Sequence, residues 1–320
     1  MSVHRLGEHG RSEAPDCVAV GYDGSRRGLV TLDRAADEAV CRRLPLTVVT
    51  FSDPLSDPDL SMSAQVRHER AARDEARSRL HAATTEIRKR YLSLPVSGTV
   101  VDGRDPAALK WLLEGCRVLV VGSRGRRGMR AFALGSISRE LLSATLSPIL
   151  VVPEPPAGSR GGPVLAGVDD GPLSPAVLRA AADEARRRDQ RLQVLHAYHR
   201  HNQETPDEAL TRARRTCANQ LAASDLGKGL AITCVFSSAN PARALVDHGR
   251  SAALLVIGCR GPLALARLTA DSVSRAVLDA EACPVLVVQT GAASLRGLPP
   301  EPRSSQEPVV PTIQRLPVRS

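Results

Sequence analysis

The sequence predicts an α/β protein of two tandem, doubly wound domains, each built on a five-stranded parallel sheet. This prediction rests on three observations. Short runs rich in Val, Leu and Ile alternate with longer amphipathic stretches along the chain. These short runs show no polar alternation, which is typical of strands covered by helices on both faces. The whole pattern then occurs a second time, which indicates two copies of one fold.

The repeat is visible in two pairs of matching segments. VAVGYDG at 18–24 matches VLAGVDDG at 164–171, with an offset of 146 residues between the glycines that follow the strands. VLVVGSRG at 118–125 matches LLVIGCRG at 254–261, with an offset of 136 residues. The second copy is therefore ten residues shorter between these two points.

Within the first copy, strands and helices are predicted in strict alternation. Ser25 is placed to cap the first helix, Pro106 suits a first helical turn, and Pro148 ends the last helix. The predicted strands are 17–21, 46–51, 96–101, 118–121 and 149–152, and the predicted helices are 25–42, about 63–91, 106–114 and 136–143.

Composition separates the two domains from their surroundings. Residues 1–15 are polar and aperiodic, and residues 291–320 are rich in Pro, Ser and Arg, so both ends are expected to be disordered. Residues 153–163 (PEPPAGSRGGP) are expected to form an exposed linker. The two domains are then 16–152 and 164–290.

Composition also excludes several functions. Aromatic residues make up only 2% of the chain, too few for a protein that stacks nucleic-acid bases on aromatic side chains. The seven cysteines include no Cys-x-x-Cys pair, which argues against a metal knuckle or a disulfide framework. The sequence shows neither a leader nor an apolar run of membrane length, so a cytoplasmic protein without nucleic-acid or membrane partners is expected.

The net charge of +9 is spread thinly, with one local concentration. That concentration holds four arginines and, from residue 123 to residue 139, no acidic residue. A basic run of this kind is usually a solvated surface, unless it adjoins an anion site. The four residues are Arg124, Arg126, Arg127 and Arg130.

Two segments of the first copy are expected at the carboxyl ends of its strands, where doubly wound sheets bind ligands. The first is GYDGS at 21–25, in which Asp23 could accept hydrogen bonds from a ribose or an adenine edge. An aspartate at this place can equally serve only to hold the turn and cap the helix, and the sequence leaves both interpretations open.

The second segment has the composition of a phosphate cradle. Gly122 and Gly125 would let the backbone approach a polyanion, and Gly135 and Ser136 stand where the N-terminus of a helix supplies N–H groups. The segment is neither a P-loop nor a Gly-x-Gly-x-x-Gly fingerprint. Separated glycine turns alone are more often structural.

The combined pattern resembles one known family. The spacing Gly-x2-Gly-x9-Gly-Ser between a VLVVG strand and an SPILVV strand, together with VGYDGS, is similar to the ATP-binding branch of the universal stress protein (UspA) family. The tandem arrangement resembles the two-domain members of actinobacteria. The resemblance implies a Rossmann-like sheet of strand order 3-2-1-4-5 and ATP, with Mg²⁺, held between strands one and four.

The resemblance also implies roles for particular residues. Asp23 would contact the adenine or the ribose, and Phe51 would line the adenine pocket, largely through its backbone. The ribose and phosphates would be surrounded by the glycine loop and the helix start, with Arg124 near the phosphates. The residues implied for this loop and helix start are Gly122, Gly125, Gly135, Ser136 and Ile137.

The second copy departs from the pattern, because Asp271 stands where the first copy has Gly135. A carboxylate beside the phosphates would weaken binding, so the second domain is expected to bind ATP weakly or not at all. The resemblance further implies that the fifth strands, 149–152 and 285–288, pair within the chain as in a dimer. A homodimer of the whole chain stays possible.

The favoured interpretation is a non-catalytic, ATP-binding regulatory protein of the stress response, which acts through a protein partner that the sequence does not identify. Two alternatives stay open. One is an adenine-nucleotide hydrolase of related fold, although no set of nucleophile, base and orienting group is recognisable. The other is a scaffold that binds no nucleotide. A cluster of His196, His199 and His201 is expected to be a solvated loop.

Overall fold

A computed structural model gives the architecture as alternating strands and helices. It describes residues 16–52, 61–102, 113, 116–123, 147–153, 157–159, 161–201, 203–259, 272–280, 282–289 and 312–313. The described strands are β1 (Cys17–Gly21), β2 (Leu46–Ser52), β3 (Val96–Asp102), β4 (Cys116–Gly122), β5 (Ile149–Val152), β6 (Val164–Val168), β7 (Leu192–Ala197), β8 (Ile232–Ser237), β9 (Leu254–Cys259), β10 (Val285–Gln289) and β11 (Thr312–Ile313). The described helices are α1 (Arg26–Arg42), α2 (Met62–Arg90), α3 (Ser174–Arg187), α4 (Pro206–Ser224), α5 (Pro241–Gly249) and α6 (Val273–Ala280).

These strands join into one sheet with the order β11-β8-β7-β6-β9-β10-β5-β4-β1-β2-β3. Within each domain the paired strands are parallel and follow the order 3-2-1-4-5, counted along that domain's own five strands. The predicted fold is therefore confirmed, and each domain has its strand-order switch between its first and fourth strands.

The described elements of the first domain lie where the sequence predicts them, with ends shifted by at most two residues. The predicted helix at 136–143 lies outside the described residues, and of the helix at 106–114 only Leu113 is described. Residues 1–15 and most of 291–320 also lie outside the described part of the chain.

The short strand β11 departs from the disorder predicted for residues 291–320. Thr312 and Ile313 pair in parallel with Thr233 and Cys234 of β8. Without β11, β8 would be an edge strand, and the unpaired backbone groups of an edge can accept a further strand. This pairing concerns only two residues of the C-terminal segment.

Helix starts follow from the side chains that precede them. The Ser25 hydroxyl accepts a hydrogen bond from the Gly28 N–H at 2.9 Å, as predicted for the cap of α1. Thr205 and Glu208 form a reciprocal capping box at the start of α4. Asn240 caps α5 through its side-chain oxygen. Local sequence thus fixes where these helices begin.

The core forms two layers, one on each face of the sheet. Alternate strand residues point to opposite faces, so Val18 and Val20 belong to one layer and Ala19 to the other. Residues of α1, α2, α3 and α4 cover the first face, and residues of α5 and α6 cover the second. Across the described residues, the helices are too short or too polar to traverse a membrane.

The two domains meet where β5 pairs with β10 in antiparallel orientation. Leu150 lies opposite Leu286, and Ile149 lies opposite Val287. Leu150 and Leu286 belong to one core layer, and Ile149 and Val287 to the other, so both layers continue from one domain into the next. This is the pairing of fifth strands within one chain that the resemblance implies.

Replacing Leu286 tests how much the interface between β5 and β10 contributes to stability. Leu286 is buried and its strand pairs with β9 on one side and β5 on the other. We expect Leu286→Ala to lower the free energy of unfolding by about 2–5 kcal/mol, measured by urea denaturation. Leu92→Ala, at a side chain that is 90% exposed, is the matched control and should stay within about 0.5 kcal/mol. Equal losses in the free energy of unfolding for the two variants would contradict an interface stabilised by the burial of apolar side chains.

Candidate functional site

Three of the predicted site residues are described, and they lie at one edge of the first domain's sheet. Gly21, the last residue of β1, aligns with Val49 of β2, so Asp23 and Phe51 each follow this aligned pair by two residues. Gly122 ends the neighbouring strand β4. The edge formed by these carboxyl ends is the predicted cleft. The other predicted site residues, Arg124, Gly125, Gly135, Ser136 and Ile137, lie outside the described residues.

Asp23 holds the turn that leads into α1. Its Oδ1 accepts a hydrogen bond from the Ser25 N–H at 2.9 Å. Gly28 lies directly beneath, since a Cβ added there would be 2.9 Å from that oxygen. One carboxylate oxygen of Asp23 thus stabilises the turn, as one of the two interpretations of this residue predicts. That bond leaves Oδ2 as the Asp23 oxygen to present to a ligand.

Phe51 places its side chain in the core rather than in the cleft. The ring is buried among the apolar residues of the second core layer. The next residue back, Thr50, donates from its hydroxyl to the Tyr22 carbonyl at 3.2 Å and ties the β1 loop to β2. The side chain of Phe51 is therefore directed away from the cleft, and a role of its backbone toward a ligand stays a prediction.

Arg79 is a candidate site residue that the sequence analysis missed. It reaches from α2 over Gly24, where an added Cβ would lie 2.5 Å from the Arg79 Cδ, and Gly24 has φ of +80°. Its guanidinium donates to the Phe51 carbonyl at 3.5 Å and lies 3.6 Å from Glu75. A cation thus stands at the end of β2. The only sequence signal was one arginine among many on a long polar helix.

The second domain has a cavity at the equivalent edge. Its volume is about 630 Å³, within the usual range for small-molecule sites. It lies at the strand-order switch between β6 and β9. Its lining includes Asp169, Asp170, His196, Arg212, Gly258 and Ser274.

The turn that follows the first strand is repeated in this cavity. Asp169 accepts through Oδ1 from the Gly171 N–H at 2.8 Å, the same two-residue span as Asp23 and Ser25. Ser174 adds a hydroxyl 3.0 Å from the same oxygen. A Cβ on Gly171 would come within 2.8 Å of Oδ1, so a side chain at this position would require the Asp169 carboxylate to shift. The two copies therefore share this turn hydrogen bond, although Gly24 has a φ of +80° and Asp170, at the equivalent position, has no positive φ.

The charges of the two clefts differ. Asp170 takes the place of Gly24 and adds a carboxylate that is 67% exposed. Arg212 enters this cavity, but it is paired with Glu204 at 2.9 Å and donates to the His199 carbonyl at 2.6 Å. Its charge is thus already compensated, and the described part of the second cleft is acidic.

The structure corrects the expectation for His196. This residue lies within β7, between Val168 and Phe236 of the neighbouring strands, and it is only 3% exposed. A central strand is covered on both faces, so its last residues are buried even next to a polar loop. His199 and His201 are exposed as expected. Within the described ranges, no three His, Cys, Asp or Glu residues are grouped to hold a metal ion.

The fold defines a class of protein, a tandem doubly wound α/β protein with a strand-order switch in each domain. The family model described as "Universal stress protein family" matches residues 16–153 and again 162–289. The chain therefore belongs to the universal stress protein family.

Individual relatives have the same two-domain extent. One universal stress protein of Mycobacterium tuberculosis is 29% identical over 296 residues, covering 85% of this chain and 96% of the relative. A solved universal stress protein from Archaeoglobus fulgidus has a TM-score of 0.65 at 16% identity, covering 88% of this chain and 100% of that one. A solved single universal stress protein in complex with cAMP covers 44% of this chain at 24% identity, with a TM-score of 0.32.

His196 predicts a pH dependence of stability. Burial lowers its pKa, and Arg212 acts in the same direction, while the nearby carboxylates of Asp170 and Asp169 and a hydrogen bond with the Val168 backbone act against it. The unfolded chain therefore binds a proton more readily below about pH 6.5, and the stabilising contribution is lost as the pH falls.

We expect the free energy of unfolding to decline between pH 7 and pH 5, by at most about 1.4 kcal/mol per pH unit from this residue. His196→Thr, which installs the residue of the first copy, should flatten that decline in denaturant titrations at each pH. His248, whose pKa burial also lowers, stays in both proteins and provides the common background. An unchanged slope in the variant would contradict the assignment.

Proposed function

We propose that this chain is a regulatory protein of the stress response that binds ATP, with Mg²⁺, in its first domain and does not turn it over at enzymatic rates. Family membership and the cleft at the strand-order switch support nucleotide binding. The glycine pattern from Gly122 to Ser136 supports a triphosphate as the ligand. The bound nucleotide would determine which protein partner the chain contacts.

The charge difference between two equivalent clefts is the observation that carries the assignment to the first domain. The first cleft has Gly24 and Arg79, which lies 3.6 Å from Glu75, whereas the second has the added carboxylate of Asp170 and an arginine paired more closely with Glu204, at 2.9 Å. The sequence adds Asp271 in place of Gly135. At an effective dielectric constant of 20, one carboxylate about 4 Å from a phosphate charge opposes binding by about 4 kcal/mol, roughly a thousandfold in affinity.

The described residues fit the part of ATP that would reach them. Asp23 keeps Oδ2 for the ribose or adenine, Phe51 offers backbone, and Arg79 suits a negative ligand. Mg²⁺ would arrive with the phosphates, since the protein's described carboxylates form no cluster for it. When bound, the ion would neutralise part of the phosphate charge.

Slow turnover is proposed because the described part of the cleft lacks a general base. One oxygen of Asp23 is held by the turn, and Arg79 is a cation. We expect a steady-state ATPase rate far below the typical enzyme value of about 10 per second, measured by phosphate release. A rate near that value, abolished by Asp23→Ala, would instead favour the related hydrolases.

Gly135→Asp tests the phosphate loop by giving the first domain the residue of the second. We expect calorimetric titration of the full chain with Mg·ATP to show a loss of about a hundredfold or more in affinity, because a carboxylate faces the phosphates. Gly135→Asn is the matched control, with nearly the same size and no charge. If both variants lose affinity equally, shape rather than charge decides.

Asp23 can be tested with two variants that separate its two roles. Asp23→Asn keeps an oxygen that can accept from Ser25 N–H, whereas Asp23→Ala removes it. We expect both to weaken ATP binding, but only Asp23→Ala to lower the melting temperature as well. If Asp23→Asn binds ATP like the wild type, Asp23 only holds the turn.

A further inference from the structure

A buried cluster of charges lies between the two domains, away from both clefts. It is formed at the C-terminal ends of α1 and α3. Glu38 lies 3.2 Å from Arg42 of its own helix and 2.5 Å from Arg188 of the other domain. Glu184 pairs with Arg188 beside it and lies 2.8 Å from Arg42 across the interface. Each carboxylate therefore binds both guanidiniums.

The cluster has approximate two-fold symmetry. Glu38 and Arg42 correspond to Glu184 and Arg188 at the repeat offset of 146 residues. Each helix end thus carries Glu-x3-Arg, and each presents it to the other in the same way. Such a motif is self-complementary, because a two-fold axis brings the glutamate of one copy to the arginine of the other.

Burial makes this arrangement selective. The Glu38 and Glu184 side chains are 3% and 4% exposed, and those of Arg42 and Arg188 are 10% and 13% exposed. Burial by itself raises the pKa of Glu184, but the surrounding guanidiniums outweigh it and hold that pKa below its usual range. A partner domain without the matching charges would bury these groups with only the ion pairs of their own helix, and the bonds from Glu38 to Arg188 and from Glu184 to Arg42 would be lost, which is unfavourable.

The remainder of the interface is less selective. The β5 and β10 ladder is made of backbone hydrogen bonds between runs of Val, Leu and Ile. Such strands provide little specificity for one partner over another, because their side chains are all apolar and similar in shape. Charges placed at fixed points of an interface are known to set partner choice and register.

We propose that Glu38, Arg42, Glu184 and Arg188 specify the pairing of the two domains. The surface at the end of α1 fits a domain of the same fold whose first helix ends in the same Glu-x3-Arg motif. In this chain that partner is the second domain, and the cluster selects it over other domains with apolar fifth strands.

Charge exchange tests this proposal in the full chain. Every variant carries Arg34→Gln and Arg187→Gln, because Arg34 and Arg187 also contact the glutamates, at 2.9 Å and 2.6 Å. A half-exchange, Glu184→Arg with Arg188→Glu, sets like charges against Arg42 and Glu38. The full exchange adds Glu38→Arg and Arg42→Glu and restores opposite charges throughout.

We expect the half-exchange to lower the melting temperature by about 5 °C or more. It should also raise the mass measured by light scattering. In this variant opposite charges meet only when a first domain pairs with the first domain of another chain, or a second domain with another second domain. The full exchange should recover at least half of the lost melting temperature and the mass of the parent. Exchange of the exposed pair Arg243 and Asp247 is the matched control and should change neither quantity.

The proposal is overturned if the full exchange lowers the melting temperature by as much as its two half-exchanges added together, the second half being Glu38→Arg with Arg42→Glu. It is also overturned if the half-exchange has the melting temperature and mass of the parent. If the exchanged chains cannot be produced in folded form, a double-mutant cycle with Glu38→Gln and Arg188→Gln tests the same interface with smaller changes. Melting-temperature losses in the double variant that are at least 2 °C smaller than the sum support the proposal. Additive losses contradict it.

Discussion

The antiparallel pairing of β5 with β10 is the constraint on which the rest of the structure depends. Within each domain the strands are parallel, so one antiparallel junction reverses the direction of all strands beyond it. The carboxyl ends of the two domains therefore lie at opposite edges of the continuous sheet. As a result, the two clefts cannot share one ligand, and each must be judged by its own residues.

The same geometry explains how two equivalent clefts can differ in function. The fold conserves the turn after the first strand, where Asp23 and Asp169 accept the same backbone hydrogen bond. The next position differs between the domains: Gly24 has a φ of +80° and lies beneath Arg79, whereas the second domain has the exposed carboxylate of Asp170. The charge beside the turn therefore differs between the two domains, while the hydrogen bond of the turn aspartate is the same.

The helices α1 and α3 connect each cleft with the domain interface. Each begins three to five residues after the turn aspartate of its own domain and ends at the buried charges between the domains. A helix is a stiff element, so the interface fixes the position of the helix starts that form one wall of each cleft. The shape of each cleft therefore depends on how the two domains pair.

Much of the fold could be predicted from the sequence, because strand composition, caps and the internal repeat are local or periodic signals. The strand order and the position of Asp23 followed from the resemblance and from the rule for doubly wound sheets. Arg79 could not be found in this way, since its contact with the Phe51 carbonyl depends on how α2 packs. His196 was misjudged because its burial depends on the strands on either side of β7.

The interdomain charges show where a signal was present but not recognised. Glu38 and Arg42 are four residues apart on a helix, which by itself indicates an exposed ion pair. Their recurrence as Glu184 and Arg188 at the repeat offset was visible in the sequence. Only the packing of α1 beside α3 shows that the two pairs meet and are buried.

The central claim is that one of two similar clefts binds ATP. Native mass spectrometry of the full chain with Mg·ATP counts the bound nucleotides directly. The account predicts one ATP per wild-type chain at an ATP concentration that just saturates it, and almost none in the Gly135→Asp variant at that same concentration. Two ATP molecules per wild-type chain, or one that persists in Gly135→Asp, would contradict it.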